Sequence, residues 1–539
     1  MSTPQIATLD GMHFDVAIVG AGINGASAAQ HLSAAGYRVL VVDQGDFANG
    51  ATSLSSRLLH CGLRHLATGS NFWTTLLRPD KLVRSMGSVS AAMQARDEIV
   101  RTIPDRLRQI NFCLPIYTDD VYAPWQLDAA FAVLRMMSPT GVPLDYRRYN
   151  RKQLDQVPIV PWLRDPDRLK SVAVFREYLF DWPERIALDA LFDARRMGAQ
   201  ANNYTRVEGL ERLESKNRWR LSLCSSAHNE PSEQSINDQK AQVTADLVLN
   251  LAGAWADDII SRTGITVEPK CAGIKGIHIA VRLPDEFADW GVFAFNSIGQ
   301  PLYCLPSNGM HYIGLTRTPF DGPPAYAGLA YQNIAEVSAT DREIDWMIAE
   351  TNRCLPQLAI TRDDILFSWA GVNPLTREPE DPLGSREIKI HDLAADGVPG
   401  MLALTGGAIM THRRVANLLL GAVSSRVAAS GSEQDLNFQW VNTTAEQTAP
   451  WIESDAFSVS TAAVKRCARD EQPGSLADLL MRRLGAGWSS DQGLALARPV
   501  AETAAYDLGW SKARIEAEVQ AYARHLKTAR RRPSAPSMW

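Results

Sequence analysis

Residues 14–43 read FDVAIVGAGINGASAAQHLSAAGYRVLVVD, and the order of pieces in this stretch decides the fold. Val16 to Val19 form an apolar run long enough for one buried strand. G-x-G-x-x-G comes directly after it, at Gly20, Gly22 and Gly25. A helical pattern is next, with Ala26, Ala29, Leu32 and Ala35 on one face, and Gly36 stands where a helix-ending glycine belongs. A second apolar strand, RVLVVD, closes on Asp43. Each part has a physical task. Gly20 permits a tight turn, Gly22 lets backbone approach a pyrophosphate, and Gly25 lets helix and strand touch. The helix N-terminus offers N–H groups and a positive dipole end to phosphate. Asp43 accepts hydrogen bonds from a ribose diol. The glycines alone are weak evidence, but strand, turn, helix, strand and terminal acid in order predict a Rossmann-type dinucleotide site. Its expected contacts are Gly20, Gly22, Ile23, Asn24, Gly25, Asp43 and Gln44.

The segment after the second strand separates a flavin from a nicotinamide. Residues 46–57 read DFANGATSLSSR, dense in small hydroxylated side chains. Thr52, Ser53, Ser55, Ser56 and Arg57 are expected to offer donors to phosphate and ribityl oxygens, which points to FAD. A nicotinamide enzyme would more often continue with another plain βαβ unit.

The whole-chain numbers set wide limits. The chain has 539 residues, enough for two to four domains of ordinary size. Hydrophobic residues make up 45% and charged residues 21%, a globular composition, and the net charge of −5 argues against a nucleic-acid partner. The seven cysteines are scattered and never in C-x-x-C spacing, which argues for a reducing compartment and against a structural zinc. No charged, apolar leader opens the sequence, and no apolar run approaches a membrane span. A cytoplasmic location is expected, with peripheral contact to the inner membrane face as an option. Two segments bear on that option. The basic run RHLKTARRR (524–532) reads as a solvated tail or an anchor on anionic lipid. FWTTLLRPDKLVRSM (72–86) reads as a packed helix or an interfacial one. The polar stretch 225–242 between RWRLSLC and ADLVLNLAG reads as a long exposed hairpin insert.

Residues 19–66, VGAGINGASAAQHLSAAGYRVLVVDQGDFANGATSLSSRLLHCGLRHL, resemble the N-terminus of FAD-dependent glycerol-3-phosphate dehydrogenases and oxidases. Further pieces agree in order: VLNLAGAWAD (248–257), KGIHIAV (275–281), IGLTRTP (313–319), RDDILFSWAGVNPL (362–375) and LTGGAIMTHRR (404–414). The tail, LADLLMRRLG (476–485) and the helical run to Leu526, is similar to that family's C-terminal cap. The resemblance implies an α/β and α+β architecture: a Rossmann-type FAD-binding domain, an inserted mixed-sheet substrate domain and a C-terminal helical domain. The expected pieces are 12–80, 170–265 and 360–430 for FAD, 81–169 and 266–359 for substrate, and 445–530 for the cap. It also implies FAD contacts at Val207, Ala252, Gly253, Gly406, Gly407, Met410 and Thr411.

The pocket letters depart from the family pattern. Arg64 matches the arginine of G-G-L-R-Y-L, a natural bidentate phosphate ligand. Asn373 replaces the arginine of G-V-R-P-L, and Arg317 stands where the pattern has an acid. An anion held by Arg64 and Arg317 in an altered pose, with Asn373 beside it, is the resulting expectation. Ala408 replaces the lysine of G-G-K-L-T-T, and His412 takes the tyrosine position as a possible donor. Oxidising an alcohol requires a base, and His60, His65 and His278 are the candidates. A metal at His60, Cys61 and His65 lacks further ligands, and a covalent flavin link through His60 or Cys61 is conceivable. Three functions fit these letters: a dehydrogenase of a phosphorylated polyol, an oxidase or dehydrogenase of an amine or amino acid, or a flavin-binding regulatory protein. The electron acceptor, quinone or oxygen, is open, and a homodimer is possible.

Overall fold

A computed structural model describes residues 6–63, 79–120, 123–138, 141–214, 217–226, 240–320, 337–379, 381–436, 438, 448–530 and 532. The first half of the chain runs β1 (His13–Val19), α1 (Ile23–Ala34), β2 (Val39–Val42), β3 (Leu58–Leu59), α2 (Pro79–Thr102), β4 (Leu107–Tyr117), α3 (Pro124–Met136), β5 (Arg147–Asn150), β6 (Leu169–Phe180) and α4 (Pro183–Arg196). Next come β7 (Gln200–Asn202), β8 (Thr205–Leu213), β9 (Arg218–Ser225), β10 (Lys240–Asn250), α5 (Ala256–Ser261), β11 (Cys271–Val281), β12 (Trp290–Phe295), β13 (Pro301–Ser307), β14 (Met310–Gly314) and β15 (Thr318–Pro319). The chain continues with α6 (Asp341–Cys354), β16 (Ile365–Glu378), β17 (Asp381–Ser385), β18 (Lys389–Asp392), β19 (Met401–Thr405) and α7 (His412–Ser424). A small hairpin, β20 (Trp451–Glu453) and β21 (Ser458–Ser460), leads into α8 (Thr461–Asp470), α9 (Ala497–Leu508) and α10 (Lys512–Ala529).

Two large sheets carry the structure. The first has the order β18-β19-β10-β1-β2-β7, with β19, β10, β1, β2 and β7 parallel. The antiparallel β8–β9 ribbon attaches to β10, β9 and β10 pair antiparallel, and residues 227–239 of the expected insert between them lie outside the described part. Val16 and Ile18 face a core shared with α1, α4 and α7, while Ala17 and Val19 face the ribbon, as alternate side chains of a strand must. Both faces are covered, so β1 and β2 read as continuous apolar runs. The turn after β1 admits only glycine. A Cβ on Gly20 would lie 2.5 Å from the Leu251 carbonyl oxygen, and one on Gly25 would lie 1.9 Å from that of Gly20.

The second sheet has the order β17-β16-β11-β14-β13-β12-β4-β6-β3 and is mixed: β4 and β12 run parallel and the other pairs antiparallel. Its membership moves the expected domain boundaries. Leu169–Phe180, Leu58–Leu59 and the strands of 365–385 belong to this sheet, whereas the expectation places 58–59, 170–180 and 365–385 with FAD. The physical reason is burial. β6 is covered on nearly every residue, so its sequence carries no alternation that would show which sheet it joins.

The C-terminal helices form their own apolar cluster and clasp the first sheet through buried charge. Arg482 and Arg483 both bond Asp46, with Arg483 Nη2 donating to Oδ1 at 2.7 Å, and Asn203 donates to the same carboxylate at 2.9 Å. Arg185 donates to Glu471 at 2.8 and 2.9 Å. Trp488 is sandwiched by guanidiniums, Arg57 at 3.6 Å and Arg530 at 3.7 Å from the ring centroid. One residue of the basic tail, Arg530, departs from both readings. It is 3% exposed, and burial pulls its pKa down to about 9, so this arginine is neither solvated nor an anchor on lipid. Of the interfacial candidate 72–86, residues 72–78 lie outside the described part, and α2 begins at Pro79. Among the described residues, no helix is long and apolar enough to cross a membrane.

Removing Asp46 strands two buried guanidiniums. Asp46→Ala is expected to cost about 3–5 kcal/mol, read as a lower urea midpoint of the full-length protein by tryptophan fluorescence. An unchanged midpoint would show that the clasp carries no stability.

Candidate active site

The nucleotide end is built from the turn after β1. Gly22 caps α1 without any side-chain cap, leaving the helix N-terminus open to a ligand. Thr52 Oγ1 accepts from Ile23 N at 3.0 Å, so its own proton is available to a phosphate oxygen. Asn24 Oδ1 is buried without a hydrogen-bond partner. Asp43 accepts from Ala21 N at 2.8 Å and from Gly45 N at 2.9 Å. Burial pushes its pKa up to about 6, against the pull of these two N–H groups. Gln44 is half-buried, and its carbonyl accepts from Ser226 Oγ at 2.6 Å.

The expected run of cofactor donors divides in two. Thr52 faces the helix turn, but Ser53 Oγ donates to buried Glu184 at 2.6 Å. Arg57, 2% exposed and at φ +57°, donates to the Asp181 carbonyl at 3.0 Å, lies 3.4 Å from Glu184 and stacks on Trp488. The geometry therefore gives Arg57 to the cap, not to a phosphate. Ser55 Oγ accepts from Arg57 N, and the Ser56 carbonyl accepts from Tyr312 Oη at 2.9 Å. Glu184 and Trp488 escape sequence reading because the indole N–H that meets the carboxylate, at 2.7 Å, comes from 304 residues away.

A third wall comes from later strands. Ala252 and Gly253 follow β10, shaped by Asn250, whose side chain donates to the Ala256 carbonyl at 2.7 Å. Gly406 and Gly407 follow β19 with φ of 76° and 79°, and a Cβ on Gly406 would lie 1.9 Å from the Glu387 carbonyl oxygen. Next to them, three side chains are engaged within the protein itself. Met410 is buried in the helix-facing core of the first sheet. The Thr411 hydroxyl is spent on its own turn, donating to Ala408 O at 2.8 Å. His412 is bound to Ile409 O at 2.8 Å, and burial, with the charge of Arg413, lowers its pKa to about 3. Val207 is buried in the β8–β9 ribbon, and its carbonyl accepts from Arg262.

The second sheet carries most of the residues expected to meet substrate. Asn373 pairs with Ile274 across β11, and Thr318, next to Arg317, pairs with Lys275 from β11's other edge. Arg317 and Asn373 thus flank one stretch of β11, as a shared pocket requires. Lys275, a cation the sequence reading passed over, is held by Glu343 at 2.8 Å. His278, in register with Trp369 and Gly314, stacks on the indole at 4.8 Å. Burial, helped by the positive charge of Arg57, lowers its pKa to about 3, so it is neutral and a poor base. His60 lines a small cavity of about 20 Å³ together with Glu177, Phe112, Phe175, Phe293 and Tyr303. Arg64 and His65 lie outside the described residues. The Cys61 thiol is fully buried and pushed well above its usual range, which removes it as a nucleophile.

A family model described as FAD dependent oxidoreductase matches residues 15–413, most of the chain. The protein belongs to that family. It is 28% identical over 432 residues to a glycerol-3-phosphate dehydrogenase of Synechocystis, covering 77% of this chain and 71% of that one. Its fold is that of the glycerol-3-phosphate dehydrogenase of Bacillus halodurans solved with FAD, with a TM-score of 0.67, 19% identity and coverage of 99% and 98%. The L-alpha-glycerophosphate oxidase of Mycoplasma pneumoniae, also with FAD bound, aligns at a TM-score of 0.57 and 15% identity over 82% of this chain and all of that one.

The oxidoreductase takes FAD as its cofactor, and the residues present fit it. The uncapped helix, the glycines that leave no room for a Cβ, the unpaired Asn24 oxygen and the Asp43 carboxylate form one continuous cradle. Because a ribose diol donates to the ionised carboxyl, FAD affinity is expected to be highest above about pH 6 and to weaken as pH falls through it. Fluorescence titration of apoprotein with FAD checks this. Asp43→Asn should bind more weakly and lose the pH dependence, and an unaltered profile in the variant would remove Asp43 from the site.

Proposed function

We propose that this oxidoreductase oxidises the secondary hydroxyl of a phosphorylated polyol, glycerol 3-phosphate or a close analogue. The observation that carries the reading is Arg317, set beside β11 opposite Asn373 on the sheet that also bears His278. The relatives named for glycerol 3-phosphate support it.

Bound FAD supplies the hydride acceptor. The chain's residues do the rest. Arg317 and Arg64 hold the remote anionic group, and that binding energy orients the reacting carbon. Asn373 contributes a hydrogen bond without charge. The resulting cation pattern differs from the family's, so the anion sits in an altered pose. His278 cannot carry positive charge near neutral pH and serves as a neutral wall beside Trp369.

Anaerobic mixing with a panel of phosphopolyols, phosphonates and amino acids tests the reading. Glycerol 3-phosphate or a close analogue should bleach the flavin absorbance. Arg317→Ala should raise KM for that compound about tenfold or more, the loss of one charge-assisted hydrogen bond. Unchanged KM and kcat, or bleaching by amino acids alone, would replace this substrate.

A further inference from the structure

Leu315 is a half-buried leucine on the segment that joins β14 to β15, two residues before Arg317. Its neighbours Tyr312 and Ile313 each pack into a core, on opposite faces of the second sheet. Leu315 itself belongs to none of the apolar cores formed by the described residues.

Two glycines fix where this side chain lies. Gly276 of β11 and Gly371 of β16 stand directly opposite each other. A Cβ on Gly276 would fall 2.2 Å from Leu315 Cδ1. A Cβ on Gly371 would fall 2.8 Å from the Cβ of Leu54, inside the run from Thr52 to Arg57. The two leucines thus cover one bare patch of the sheet, and the second of them belongs to the cofactor segment. Strand alternation puts the flanking pairs on the same face: Ile274 with Asn373 at one end, His278 with Trp369 at the other. Leu315 therefore stands between Asn373 and His278, close in sequence to Arg317. The backbone after it is tied down, because Thr316 Oγ1 accepts from Ile277 N at 3.1 Å.

This placement sets a contrast of polarity within one site. Arg317 and Asn373 can donate hydrogen bonds, whereas Leu315 offers only methyl groups. A hydroxyl laid against Leu315 gives up water and gains no hydrogen bond from it, while an alkyl group gives up nothing.

We infer that Leu315 is a specificity-determining residue, and that it selects a 2-hydroxyalkyl phosphate. Such a substrate carries its phosphate on one side of the reacting carbinol and an alkyl group, in place of a second hydroxyl-bearing carbon, on the other. The inference rests on the phosphorylated-alcohol reading and narrows it. The anion lies with Arg317 and Asn373, the carbinol carbon faces the cofactor, and the remaining arm of that carbon packs on Leu315.

Anaerobic flavin bleaching by two compounds tests the proposal on the holoenzyme. Glycerol 3-phosphate and 2-hydroxypropyl phosphate differ only in the terminal hydroxyl. The wild type should favour 2-hydroxypropyl phosphate in kcat/KM by about 10- to 100-fold, the range an apolar pocket reaches against one added hydroxyl. Leu315→Thr, checked by its flavin spectrum and Tm, should lose most of that preference by gaining activity on glycerol 3-phosphate. Structural damage alone cannot produce such a gain. Both compounds carry the same phosphate, so the ratio isolates the arm that meets Leu315. A wild type that favours glycerol 3-phosphate, or treats the two alike, overturns the inference and leaves the proposed function intact. An unchanged ratio in a folded Leu315→Thr overturns it as well, since the leucine then does not meet the substrate. If neither phosphate bleaches the flavin, the phosphorylated-alcohol reading fails and this inference fails with it.

Discussion

Asp46 is a buried carboxylate bound by Arg482 and Arg483 of the C-terminal cap, and the segment from Asp43 to Arg57 takes its shape from that clasp. The segment is tied at its front as well, where Thr52 accepts from the first turn of α1. Its far end is wedged between Glu184 and Trp488. Between these ties the backbone passes from the nucleotide end of the first sheet to the edge of the second. Buried pairs of this kind add little net stability over apolar packing but are costly to break. Their effect here is positional. Ser53 and Arg57 are turned away from the cradle, and Thr52 is turned toward it.

One physical rule sets the electrostatics of the buried titratable groups. Burial disfavours charge, so it lowers a histidine and raises a carboxyl. His278 and His412 are driven to about 3 and become neutral parts of the structure. Burial raises the carboxyl of Glu177, on β6, to about 7.

The nucleotide half was legible in the sequence because its constraints are local. Gly20, Gly22 and Gly25 act within a single turn, and Asp43 meets the Ala21 N–H only 22 residues away. The mixed second sheet and the helical cap were implied by the resemblance. The boundaries between them were not, because β6 and β16 are buried on both faces and show no periodicity. Side-chain roles in the run from Thr52 to Arg57 were half legible. Small hydroxyls there mark a cofactor segment, but which ones face the cofactor depends on Glu184 and Trp488.

By itself, the sequence determined the dinucleotide turn, the choice of FAD and the family, all carried by spacing within short segments. Only the tertiary structure decided which charged groups are buried and which groups they pair with. Desolvation and pairing depend on neighbours brought from far along the chain: Glu177 to Cys61 across 116 residues, Arg483 to Asp46 across 437. A composition pattern cannot register those approaches, because a buried charge and a solvated one are the same letter until the fold sets the dielectric around them.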